Sequence, residues 1–412
     1  MRISRLALTV RISRLAALVL VSGLCALRPA AAQSLPDGSL RIFDGQLVVS
    51  GEAEVTISEE DEEAFFNYTD YEHNALRMFR LSLAGAWQPV RRFAFVGEVR
   101  TENFDQPTAY AAYARIRPWV DRDFDIQIGR IPPSFGAYSR RVYASDNTVI
   151  GYPLAYQYLA SIHPDAAPAT AADLLRMRGR GWLSNFPVGD ATPSPGVPLV
   201  SAFRWDTGAQ VRWKTSAVEL TGAVTRGTLS DPRFKDNNHS PQVSGRVTWT
   251  PTVGLVMGAS AAHGAWLDDN VIDLIPNGRS HYGQTAWGAD AEYSRDHWIV
   301  RTEMVWSRWL MPLAATRPSG INLDAFGAWV EGRYKWTPRF FTAARVDHLG
   351  FNRVPGEVVS VDWDAPVTRV EGAIGYYLQR NLVARLGVQY NDRDGGRVHS
   401  RTYVAAKLAF WF

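Results

Sequence analysis

"RRFAFVGEVRT", residues 91–101, alternates throughout: Phe93, Phe95, Gly97 and Val99 fall on one face, Ala94, Val96, Glu98 and Arg100 on the other. A period of two is the mark of a strand with two unlike faces. "NLVARLGVQY", residues 381–390, repeats it, setting Leu382, Ala384, Leu386, Val388 and Tyr390 against Val383, Arg385, Gly387 and Gln389. "TAWGADAEYS", "WIVRTEMVW", "FGAWVEGRYKW" and "FTAARVDHL" obey the same rule. Tryptophans gather at the ends of such runs, at Trp87, Trp119, Trp213, Trp249, Trp298, Trp309, Trp336 and Trp411. Strands of about ten residues, apolar outside and polar inside with aromatic girdles, describe a transmembrane antiparallel β-barrel.

The connections set the topology. Tight links occur at 88–92, 117–124, 213–217, 249–253, 293–298, 336–340 and 378–382. Longer, polar or irregular links lie between them, at 58–74, 103–107, 131–206, 228–240, 265–281, 310–320, 349–365 and 391–396. The two kinds alternate and together join sixteen strands, with both ends on the short-turn side. "KLAFWF", residues 407–412, carries the alternation into Phe410 and Phe412. A last strand of this kind is expected to close the barrel on the first, because an unpaired edge cannot face hydrocarbon.

The first 32 residues hold five arginines, no acid, and the apolar run "LAALVLVSGLCAL" followed by "AAA". That order predicts a secretory signal peptide over 1–32, a short periplasmic segment over 33–39 and the barrel over 40–412. Cleavage would remove Cys25, the only cysteine. It would also leave 44 less five, or 39, basic residues against 41 acids, a net charge of −2 that offers nothing to nucleic acid. Only Lys214, Lys235, Lys335 and Lys407 are lysines, so the positive charge is almost all guanidinium.

Sixteen strands leave room for an aqueous channel. The inward face of the strands is densely charged, which is tolerable only where water or a counter-charge meets each group. Segment 131–206, after strand five, is the irregular one: it contains "IGRIPPSFGAYSRRVY", a Thr170 and Asp173 pair placed to cap a short helix, and several arginines. A loop of this kind is expected to fold into the mouth and narrow it. Candidate constriction and pore-lining residues are Arg130, Arg140, Arg141, Arg176, Arg178 and Arg180 on or beside the loop, with Arg100, Arg115, Arg117 and Glu98 on the wall. Arginine at a narrowing favours anions. No nucleophile-elbow sequence, no HExxH and no paired metal spacing accompanies the histidines, so neither an enzyme nor a metal or other cofactor is expected.

Leader, alternating strands, final phenylalanine and long loop after strand five together resemble the bacterial outer-membrane porins. "IQIGRIPPSFG", 126–136, looks more particularly like the phosphate-selective porin group. The resemblance implies an outer-membrane channel for passive diffusion of small hydrophilic solutes, anions among them, in contact with outer-membrane lipid and lipopolysaccharide. It also implies trimeric assembly, and Phe410 and Phe412 as a signal read by the barrel assembly machinery. Arg115, Arg117, Arg130 and Arg140 would stand for that group's channel-tracking arginines; its lysine clusters have no counterpart. The competing readings are an adhesive, structural or receptor barrel and a hydrolase with its site at the rim.

Overall fold

The computed structural model describes residues 38–178, 188–191, 193–275, 282–356, 358–393, 395 and 398–412, apart from the side chains of Glu63 and Arg140. The expected leader, Gln33–Asp37 and Arg180 fall outside these residues. The chain forms one closed antiparallel sheet of sixteen long strands. In chain order they are β1 (Leu47–Ser58), β2 (Met78–Val90), β3 (Phe93–Glu102), β4 (Thr108–Ile116), β5 (Phe124–Ile131), β6 (Asp206–Lys214), β7 (Val218–Thr225) and β8 (Gln242–Thr252). They continue as β9 (Leu255–Ala265), β10 (Gly283–Arg295), β11 (Trp298–Leu313), β12 (Arg317–Lys335), β13 (Phe340–Phe351), β14 (Val367–Gln379), β15 (Leu382–Arg393) and β16 (Arg401–Trp411). Each pairs with its sequence neighbour, so short turns gather at one end and long links at the other, as the pattern of tight and loose connections requires.

The alternation does what lipid demands. On β3, Phe95 and Val99 are each 47 % exposed, while Ala94, Glu98 and Arg100 are buried. On β15, Leu386, Val388 and Tyr390 point out and Val383, Arg385 and Gln389 point in. An outer face this apolar suits a hydrocarbon solvent, in which a closed ladder pairs the backbone donors and acceptors of neighbouring strands. Trp87, Trp119, Trp213, Trp249, Trp298 and Trp336 are exposed beside the short turns and make a girdle there. Trp309 does not join them. It lies eleven residues along β11 from the outward Trp298, an odd spacing that turns it into the barrel, where it is fully buried.

Closure is made by β1 and β16, from Glu52 opposite Trp411 to Ser58 opposite Ala405. Gly51 and Phe412 exchange backbone hydrogen bonds of 3.1 and 3.0 Å at the end of this ladder. A short strand, Leu40–Ile42, then pairs with Leu47–Val49 and covers the stretch of β1 that β16 does not reach. Across the closing pair, Lys407 Nζ lies 3.0 Å from Glu54, and Glu54 lies 2.8 Å from Arg80. Phe410 and Leu408 face outward over this junction, and the Phe412 ring covers Gly51 so closely that a Cβ there would collide with it. Deleting Phe412 removes two ladder bonds and an apolar anchor. The expected result is a severalfold loss of heat-modifiable barrel in membranes, read as the gel shift between unboiled and boiled samples.

Candidate functional site

Residues 132–205 connect β5 to β6, and the part from 134 to 162 is almost wholly buried inside the barrel. Their backbone has no ladder to join, and buried backbone polar groups must find partners. The wall supplies them. Glu52 accepts from Ala144 N at 2.9 Å and Ser145 N at 3.1 Å. Glu303 accepts from Ala137 N at 2.8 Å and the Tyr156 hydroxyl at 2.7 Å. Glu371 accepts from Ile150 N at 2.8 Å and Gly151 N at 2.6 Å, and Asp347 accepts from Leu154 N. Loop carbonyls are met by arginines: Arg369 donates to Tyr152 O at 2.9 Å, Arg385 to Ala144 O at 2.7 Å and Arg301 to Asp146 O at 3.0 Å. These strands lie on opposite sides of the barrel, so residues 137–154 cross the lumen. Gly136 turns the loop inward with φ +73°, where a Cβ would strike the Tyr156 hydroxyl.

The crossing segment brings its own apolar side chains. Phe135, Tyr138, Tyr152, Leu154, Tyr156 and Tyr158 pack with the wall's Trp309, Trp329 and Leu323 into one buried cluster. Tyr138 meets Trp329 edge-on at 5.8 Å. The sequence reading expects a wet lumen of charges, but on the β11–β14 side and toward the long links this packed cluster fills the interior, with buried charged groups among it. Toward the short turns it stays open: Arg115, Arg212, Glu292, Arg301 and Arg333 are only half-buried.

Two of the cavities on the β2–β6 side flank β3. A cavity of about 200 Å³ near the short turns is lined by Glu52, Ser82, Ala84, Glu98 and Tyr143. A second, of about 340 Å³ toward the long links, is lined by Arg100, Glu102, Tyr110, Arg130, Phe203 and Arg204 among others. Glu98 and Arg100 share one face of β3 and are joined at 3.2 Å, so their ion pair stands between the two spaces. The Arg100 guanidinium stacks on Tyr110 at 3.6 Å, and Tyr143 donates to Glu98 at 2.6 Å. One ion pair and two tyrosines form the narrowing.

Of the residues singled out in the sequence, Arg100, Glu98 and Arg130 meet here. Arg141 is paired with Glu292 at 2.8 Å on the opposite wall. Arg115 and Arg117 are half-buried toward the short-turn end. Arg176 ends a short helix, Ala171–Arg176, which Thr170 and Asp173 cap reciprocally; it is exposed and lies 3.5 Å from Asp173. Arg178 packs against Gly395, in the link before β16. These last two therefore sit at the outer mouth and not beside the narrowing. Sequence reasoning missed Tyr110, Tyr143, Arg204 and Arg233. The signal available was the cluster of aromatic residues around Arg204, in "FRW" at 203–205.

Above the narrowing, the outer links form a charged cluster. Arg204 Nε is 2.6 Å from Asp70, and Arg233 bridges Asp231 and Asp268, the latter at 3.3 Å. Burial raises the carboxyl groups of Asp70 and Asp231 above the ordinary range, against the pull of these arginines. The Asp268 carboxyl, facing Arg233, Asn237, Asp231 and Asp165, is pushed up to about 6, chiefly by burial. A raised acid stabilises its folded surroundings below its unfolded pKa of about 4, and that contribution is lost as pH rises through about 6. Residues 226–241 and 266–275 should thus exchange amide hydrogen faster at pH 7.5 than at pH 4.5, after correction for intrinsic rates. Asp268→Asn should flatten that dependence.

No protein-family description matches this sequence, and none of the curated proteins does. Its fold is nonetheless similar to several solved structures. An anion-selective porin from Comamonas acidovorans superposes with a TM-score of 0.55 at 9 % identity, covering 89 % of this chain and 99 % of that one. OmpF of Salmonella typhi, in complex with daunomycin, gives 0.54 at 12 %, covering 90 % and 100 %. OmpT, an outer membrane protein of Vibrio cholerae, gives 0.52 at 10 %, covering 93 % and 100 %. At these identities the likeness is one of fold, and it establishes the closed sixteen-stranded barrel.

Proposed function

We propose that this chain is a porin of the bacterial outer membrane that passes small hydrophilic solutes through a narrow, anion-favouring channel. The observation that carries the reading is the Glu98–Arg100 ion pair, whose acid lines the cavity toward the short turns and whose base lines the one toward the long links. Arg130 has no carboxylate within ion-pair distance among the described residues, and its Nε and the Arg100 Nη1 are both buried without a hydrogen-bond partner there, so the wall beside the path holds donors that no neighbouring group uses. Arg141 and Arg176, each ion-paired, contribute less than the sequence alone suggests.

The likeness to an anion-selective porin supports the same sign of preference. Passage from the short-turn end runs past Arg115 and Arg117. Delivery to the membrane rests on the leader, with Phe410 and Phe412 read by the assembly machinery. A trimer form exists for the similar OmpT, and the same state is proposed here. Reconstituted into liposomes, the protein should admit small monovalent anions and exclude disaccharides. Failure of the liposomes to admit any small solute would favour a surface-binding role for the loop-filled barrel.

A further inference from the structure

We propose that the 340 Å³ cavity above the narrowing is a binding site for a small monoanionic organic acid with a flat apolar body, an aryl carboxylate. This rests on the channel reading for its purpose but not for its geometry. Four arginines border the space, Arg100, Arg130, Arg204 and Arg233, and so do four rings, from Tyr71, Tyr110, Phe203 and Phe234.

Charge pairing decides the ligand's charge. Arg204 is held by Asp70 at 2.6 Å, and Arg233 by Asp231 and Asp268. Glu102 is held by Arg80 at 2.7 Å, and Arg100 by Glu98 at 3.2 Å. Arg130 has no carboxylate within ion-pair distance among the described residues. The nearby Asp206 spends its oxygens on the backbone N–H groups of Thr207, Gly227 and Arg233. One guanidinium is left over, with its neighbour Arg100 carrying an unused Nη1. A single guanidinium without a carboxylate of its own offers a place for one carboxylate. A phosphate dianion would need a second uncompensated cation and would set its remaining oxygens against rings.

The walls decide the ligand's body. A guanidinium fork takes a carboxylate in two parallel hydrogen bonds. Tyr110 already lies flat beneath Arg100, and Phe203, 8 % exposed, is fixed against Tyr152 at 5.4 Å. Phe234, which lines the same cavity, is 61 % exposed. An aromatic ring between Phe203 and Phe234 removes apolar surface from water while its carboxylate reaches Arg130.

Calorimetric titration of the purified protein in detergent, with benzoate, acetate and inorganic phosphate as probes, tests this. Benzoate should bind at least tenfold more tightly than either of the others. Arg130→Gln, which strands no acid, should weaken benzoate about tenfold. Phe234→Ala, at an exposed site where folding is not at stake, should weaken benzoate severalfold and leave acetate unchanged. Phosphate binding as tight as benzoate, or benzoate binding unaltered in Arg130→Gln, overturns the proposal. Because heat is measured without transport, a protein that conducts but does not bind benzoate defeats this site alone. One that binds benzoate but does not conduct defeats the channel alone.

Discussion

Replacing Arg100 by serine should reverse the channel's ion preference, and replacing Glu98 by glutamine should strengthen it. Both groups sit at the narrowing, joined at 3.2 Å, so either change leaves its partner's charge uncancelled. A unit charge about 4 Å from a passing ion is worth about 4 kcal/mol at an effective dielectric near 20 and about 1 kcal/mol in bulk water. The narrowing lies between those limits, so the anion-to-cation permeability ratio should move by roughly tenfold in opposite directions in the two variants. The shift should be largest at low salt, where screening is weak. Arg176→Ser, at the mouth, should change the ratio little. Equal effects from Arg100→Ser and Arg176→Ser would mean that the current does not pass beside the Glu98–Arg100 pair.

The second large effect concerns the loop's attachment. Glu371 accepts two loop amides and also holds Arg345 at 2.8 Å. Replacing it by leucine strands all three donors in a buried setting, at a cost of roughly 3–5 kcal/mol. The cost falls on the loop, because β14 keeps its ladders with β13 and β15. Glu371→Leu barrels should therefore remain heat-modifiable while trypsin cuts after Arg140 or Arg141, which wild-type protein resists. Their conductance should rise and become noisy as residues 137–154 leave the lumen. Cleavage no faster than wild type would show that the apolar cluster around Tyr156 and Trp309, and not the carboxylates, holds the loop.

The barrel is legible in the sequence because lipid imposes a two-residue period on every strand, and the turns punctuate it. Phe95 and Leu386 announce their faces without help from any partner. The interior is not legible in the same way. Whether Glu371 lines water or binds a backbone depends on Ile150 and Gly151, about 220 positions away in the chain. No period links such partners. Arg176 and Arg178 read as constriction residues because they share a segment with Arg130, yet the capped helix at Ala171–Arg176 carries them to the mouth. Arg204 and Arg233 are not marked in the sequence for the complementary reason, since links carry no alternation to show which side chains converge. Trp309 differs: its odd spacing from Trp298 puts it on the inner face by parity alone, away from the girdle.

The channel proposed here is a narrow path beside β3 that conducts and prefers anions. The most direct test is the current through single proteins in a planar bilayer under a potassium chloride gradient. A small, steady conductance with a reversal potential of the sign set by chloride is the predicted result. No conductance, or a reversal potential of the sign set by potassium, would contradict it.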